Sequence, residues 1–349
     1  GLYDWVSIDG LSGPMTDPSD SWVPQEFWWW FRATRVINTF QDGEGIDYTI
    51  QEFPFFSFIL GDLHPHVMSI PFVMLYLTMC WNFLRSPVSS WKSVNVQSCL
   101  ELFALVFVLG ALAFINAWDL PVFWALLIGI TALRIYSKYN ANVWQLITGC
   151  AFVGLAALAT VAIFYLPYFL DISSTISGIG VVTYTSRPFH FLLVWALLFM
   201  AVFPLVIGLF LKTAVSHNRT RLTMTSALVA LAPYVIWAFM YMEAGGSGSN
   251  LPGRFFHVLP LSILVAMSIY SALWFSRKGG DSDAKVFSMT LSALGLFIIM
   301  GPELLFVDDS FGGAQSRMNT VFKLYYQGWM LLAVCGGYGL YHWQSLRDN

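Results

Sequence analysis

The stretch from Glu52 to His66 holds the sharpest chemical pattern in the chain, because Asp62, His64 and His66 alternate around Leu63 and Pro65. Pro65 disfavours the α region for His64, and alternate residues of an extended segment point to one side. A carboxylate and two imidazoles on one side suit a divalent metal, or a base with its orienting partners. In the blander reading Asp62 or His64 only caps a helix. Pro65 suits the first turn of a following helix, whose positive end would favour an anion such as phosphate.

A second constellation runs from Glu303 through Asp308 and Asp309 to Arg317, Asn319, Lys323 and Gln327. Paired acids bind a cation or the hydroxyls of a sugar. Arg317 can fork onto phosphate oxygens, and Lys323 adds a compact charge. Lys323 and Gln327, four apart, share a helix face. The competing reading pairs Arg317 with Asp308 or Asp309 inside its own loop. Asn116 and Asp119 flank Trp118 at a polar turn that an N-cap aspartate would also explain. Arg254 and His257 follow the Gly245–Asn250 loop, which no strand precedes and which therefore is not a nucleotide cradle. His190 sits at a membrane boundary. The run Trp28 to Arg35 is expected to be a short interfacial helix, with Arg35 able to reach a lipid phosphate.

The elements that must position these groups follow from composition. The 349 residues are 57% hydrophobic and only 11% charged, against about 25% charged in soluble domains. That excludes a soluble enzyme, a nucleic-acid binder and a disordered chain. An all-α polytopic bundle is expected, with nine spans near 67–84, 98–116, 120–137, 143–169, 190–212, 221–242, 257–276, 284–303 and 322–343. Residues 1–66 then form an outer-face loop and interfacial region, 67–343 the bundle and 344–349 a cytoplasmic tail. One set of connections carries 11 of the 17 basic residues and 4 of the 20 acidic ones. The positive-inside rule makes that set cytoplasmic in a plasma membrane, with the N-terminus of this chain outside and the C-terminus inside. An outside N-terminus with no signal peptide implies an upstream span. Four cysteines lack metal-ligand spacing and are read as packing groups. With no phosphate-loop motif, no nucleotide is expected.

The segments Trp28 to Arg35, Glu52 to Phe58, Gly61 to His66, Asn116 to Asp119 and Arg317 to Lys323 with Tyr325-Tyr326-Gln327 resemble the bacterial and archaeal "YYY" family of polytopic membrane proteins, which looks related to the GT-C glycosyltransferases. The tyrosine-rich segment behind the family's nickname does not occur here. The resemblance implies a GT-C-like enzyme that takes sugar from a polyprenyl-phosphate donor on the outer face. It also implies an acidic residue of the first outer loop, among Asp42, Glu44, Asp47, Glu52 and Asp62, often with a divalent cation such as Mg or Mn. On this reading Asp62 takes the acceptor's proton and His64 and His66 orient it or hold the metal. Arg35, Arg317 and Lys323 meet the leaving phosphate, while Glu52, Asn116, Asp119, Arg254, Glu303 and Asn319 line the substrate. Expected partners are the lipid donor, membrane lipids and other membrane subunits, with no nucleic acid. The alternative is a non-catalytic subunit of a larger membrane complex. A transporter would want ionisable groups at mid-membrane, which the spans almost lack.

Overall fold

The computed structural model describes residues 31, 33–41, 44–61, 63–86, 96–139, 142–173, 176–213, 219–278 and 280–347. Two short helices, α1 (Pro54–Leu60) and α2 (Pro65–Met68), lead into α3 (Ile70–Arg85), α4 (Val96–Ile115), α5 (Asp119–Tyr139) and α6 (Val143–Phe164). A short α7 (Leu166–Asp171) then precedes α8 (Pro188–Lys212), α9 (Arg219–Glu243), α10 (Leu251–Ser276), α11 (Asp283–Met300) and α12 (Met318–Arg347). Every expected apolar run is helical. Among the described residues, seven of these helices are long and apolar enough to cross a membrane, so the chain is an all-α polytopic membrane protein.

Local chemistry sets the helix starts. Proline occupies the first turn of α1, α2, α3, α7, α8 and α10, where its missing N–H costs nothing. Asn142 and Gln145 close a reciprocal capping box on α6. Several boundaries differ from the sequence reading. The run expected over 67–84 breaks at Ser69 between α2 and α3. The run expected over 143–169 breaks at Tyr165, ahead of Leu166-Pro167, because Pro167 has no N–H to donate to the carbonyl four residues back and its ring crowds that carbonyl. Helix α10 starts at Leu251 rather than near 257, with Pro252 in its first turn.

Helix α10 packs between α9 and α11, and α12 lies against α11 and α8. A second group, α3 to α6, joins this row through α5, which touches α10 and α11. The core sits in the row: 61% of the α11 span is buried, against 22% for α9. Close approach of α11 and α12 depends on small residues, since a Cβ on Gly328 would lie 2.4 Å from Ile299 and one on Gly295 would lie 2.8 Å from Leu332.

Two antiparallel ribbons, absent from the all-helical sequence reading, organise the polar end. Strands β1 (Asn38–Gln41) and β2 (Glu44–Tyr48) form a hairpin. Strands β3 (Gly178–Val181) and β4 (Leu305–Asp308) pair Gly178 with Asp308 and Val181 with Leu305. The second ribbon ties the loop before α8 to the loop before α12. Long helices joined end to end bring these loops, the α4–α5 turn and the start of α10 to one end of the bundle.

Gly328→Ala should cost about 1–3 kcal/mol through overpacking. Gly337→Ala, which has open space around its new Cβ, should be neutral or slightly stabilising. Thermal unfolding of the two purified variants in one detergent checks the contrast.

Candidate functional site

The polar end holds two clusters that differ in how completely the protein satisfies them. The first is centred on Arg317, only 2% exposed. Its Nε and Nη2 donate to Asp47 Oδ1 and Oδ2 at 2.9 and 2.5 Å. Nη1 donates to Glu303 Oε1 and to the carbonyl of Pro302, both at 3.1 Å, and Nη2 also reaches Ser186 Oγ at 3.2 Å. Five donors and five bonds saturate the guanidinium. Burial opposes its charge, but Glu303 and Asp47 more than offset burial and raise its pKa.

Glu303, 1% exposed, also accepts from the Ser186 amide at 2.8 Å and its hydroxyl at 2.5 Å. His257 Nε2 lies 3.0 Å from Glu303 Oε2. Arg254 donates to the carbonyls of Glu303, Val182 and Thr183 and stacks over Trp237 at 4.8 Å. The expected pairing of Arg317 with Asp308 or Asp309 does not form. Asp308 accepts from Ser177 in the loop before α8, and Asp309 accepts from the Phe311 amide and from Asn319, so Asp308 ties two loops together while Asp309 and Asn319 hold their own.

The second cluster lies on a different face of α12 and joins Arg35, Glu52, His66, Asn116, Asp119 and Lys323 with Tyr326 and Gln327. Asp119, fully buried, accepts from Asn116 and Gln327, both at 2.7 Å. It therefore binds across to α12 rather than serving only as a cap. Arg35 lies over the Phe31 ring at 3.6 Å and 3.6 Å from Glu52. The Lys323 ammonium lies in the field of Glu52 and Asp119. His66, 2% exposed, packs edge-on against Phe322 and Tyr326, with ring centroids 4.7 and 4.3 Å away. Burial, then Lys323, then His64 lower its pKa to about 3, so the ring is neutral and keeps a lone pair. Its nearest Glu52 oxygen is 3.9 Å away.

What sets this cluster apart is unmet demand. Both ring nitrogens of His66, Arg35 Nε, Asp119 Oδ2, the Tyr326 hydroxyl and Gln327 Oε1 are buried with no protein partner. Such groups are costly unless something else meets them.

The alternation expected of His64 and His66 is not kept. Helix α2 begins at Pro65, so His64 stays extended and exposed while His66 turns into the core, although the two rings remain 5.2 Å apart. His64 holds the N-cap position without a side-chain capping bond. Asp62, the favoured base, and Trp28 to Trp30 of the expected interfacial helix lie outside the described residues. Among the described residues, no group of three or more His, Cys, Asp or Glu is placed to hold a metal.

The sequence pointed to no role for Ser186, offered Tyr326 only as part of a motif, and placed Asp47 among several candidate acids. Tyr326 had a usable signal, since it lies three residues after Lys323 on the same helix. Ser186 had none.

The chain belongs to the family described as uncharacterized membrane protein (DUF2298), which matches residues 5–332. No curated protein and no solved structure matches it.

Two measurements check this anatomy. Arg317→Met leaves two buried carboxylates uncompensated and should cost about 3–5 kcal/mol, whereas Lys323→Met should leave the melting temperature nearly unchanged. The low pKa of His66 means that the unfolded chain gains a proton below about pH 6.5 that the folded chain refuses. Stability should therefore fall as pH drops from about 6.5 towards 3, and His66→Gln should flatten that part of the profile.

Proposed function

We propose that this member of the family is a GT-C-like glycosyltransferase, taking sugar from a polyprenyl-phosphate donor at the polar end of the bundle. The observation that carries the reading is the second cluster, where buried acceptors and donors on His66, Asp119, Tyr326, Gln327 and Arg35 lack protein partners. Beside them stand the cations Lys323 and Arg35. A sugar phosphate offers the hydroxyls and the anionic oxygens that such a set would meet.

In this scheme the acceptor hydroxyl attacks the anomeric carbon as the bond from that carbon to the phosphate oxygen breaks. The hydroxyl proton passes to a carboxylate, with Asp62 the favoured acceptor and Glu52 the described alternative. The electron pair leaves with the polyprenyl phosphate, whose developing charge Lys323 and Arg35 stabilise. Neutral His66 and Asp119 hold sugar hydroxyls, with Asn116 and Gln327 fixing the Asp119 carboxylate. Arg317, Arg254 and Glu303 act one step back by holding the loops that frame the site. The charge distribution favours a plasma membrane with this end outside.

Purified protein given a radiolabelled polyprenyl-phosphate sugar and membrane lipid acceptors tests the reading. Asp62→Asn, or Glu52→Gln if that carboxylate is the base, should lower transfer by about 10²–10⁴-fold. Lys323→Met should also weaken donor retention in native mass spectrometry. Unchanged turnover in all three variants would overturn these residue assignments, and no transfer by the unmodified protein, together with a stoichiometric protein partner, would instead favour an accessory subunit.

A further inference from the structure

A separate feature lies beside the Arg317 cluster. A lateral groove of about 290 Å³ opens between α8 and α10, lined by Phe191, Leu192, Phe203, Phe256, Pro260 and Leu264. Its rim is open to the bundle surface, with Leu192 52% and Phe256 67% exposed. Its inner end is polar, formed by His257 and Glu303. His257 also lines a second cavity of about 290 Å³, whose wall carries Thr183, Thr185, Asn250 and Arg254. One imidazole thus stands between an apolar trough facing the hydrocarbon and a polar chamber at the bundle end. Pro260 lacks an N–H, so the carbonyl of Phe256 has no intrahelical donor at this level.

We infer that this pair of cavities binds one membrane lipid with an uncharged, hydroxyl-rich headgroup, its chain in the α8–α10 groove and its headgroup in the chamber beyond His257. The groove commits the occupant to a hydrocarbon chain, because it lies between helices long and apolar enough to span and is walled by apolar side chains. The volumes, near the lower end of the about 300–1,000 Å³ typical of small-ligand sites, suit one chain and one sugar-sized head. The headgroup's charge follows from which donors are committed. Arg317 is saturated, and Arg254 spends three of its five donors on backbone carbonyls and lays its face over Trp237. The residue at the junction is a histidine backed by a carboxylate at 3.0 Å, which would repel a phosphate and welcome a hydroxyl. Threonine hydroxyls and the Asn250 side chain, whose Nδ2 donates to the Tyr241 hydroxyl at 2.7 Å, complete a wall suited to polyols.

This site is distinct from the Lys323 cluster, and its occupancy does not depend on sugar transfer. The test needs no turnover. The intact protein is placed in phosphatidylcholine nanodiscs with either of two probes carrying the same photoreactive chain: a monoglucosyl diacylglycerol or a phosphatidic acid. The glucosyl probe should label peptides around Leu192 and Phe256 about tenfold more than the phosphatidic acid, the ratio expected from about one retained headgroup hydrogen bond. Leu192→Trp, at an exposed position that folding tolerates, should block the groove and abolish most of that labelling. Thr185→Val with Asn250→Ala should erase the preference between probes while chain labelling persists. Equal labelling by both probes, a preference for phosphatidic acid, or labelling unchanged by Leu192→Trp would each overturn the inference.

Discussion

A guanidinium buried to 2% exposure survives only if every donor is met and its charge is balanced, and that demand shapes the polar end of this protein. Arg317 meets it with Asp47 from the β1–β2 hairpin, Glu303 from the end of α11, and Ser186 from the segment before α8. Three stretches far apart in the chain are thereby fixed to the start of α12. Arg254 adds a fourth by binding the carbonyls of Val182, Thr183 and Glu303. Few other interactions could hold irregular loops over a helical bundle so firmly, because loops lack the repeating ladders that stabilise helices and sheets.

The saturated cluster and the unsaturated one serve different ends. Around Arg317 the protein completes its own hydrogen bonding, which rigidifies the frame. Around His66 and Asp119 it leaves acceptors and donors buried without partners. A folded chain tolerates such groups where a ligand or water meets them. Helix α12 serves both: Tyr325 faces Glu303, while Lys323, Tyr326 and Gln327 face the other cluster. A rigid frame beside buried polar groups that the protein leaves unpaired is the arrangement expected of a preorganised binding site.

Much of this was legible from residue types alone. Scarcity of charge and the nine apolar runs gave the helices, since backbone groups in hydrocarbon must bond within their own segment. Pro65 marked a helix start at the edge of the polar end, whereas the start at Leu251 was read six residues too late. Lys323 and Gln327, four apart, did share a face. For the two imidazoles the expected alternation of His64 and His66 misled, because the helix that starts at Pro65 ended the extended stretch and turned the His66 ring inward. The β3–β4 ribbon was invisible, as it joins residues more than a hundred positions apart through four-residue strands with no local pattern.

Period and hydropathy are local properties, so they suffice to show a helical membrane protein, the approximate course of its helices and the polar residues set between them. Which charges neutralise each other is a matter of packing in three dimensions. Arg317 had Asp308 and Asp309 close in sequence yet chose Asp47 and Glu303, and Asp119 turned from a cap into a cross-helix acceptor for Gln327. Pairing of buried charges depends on distance in space and on desolvation, and neither quantity is written in the spacing of residues along a chain.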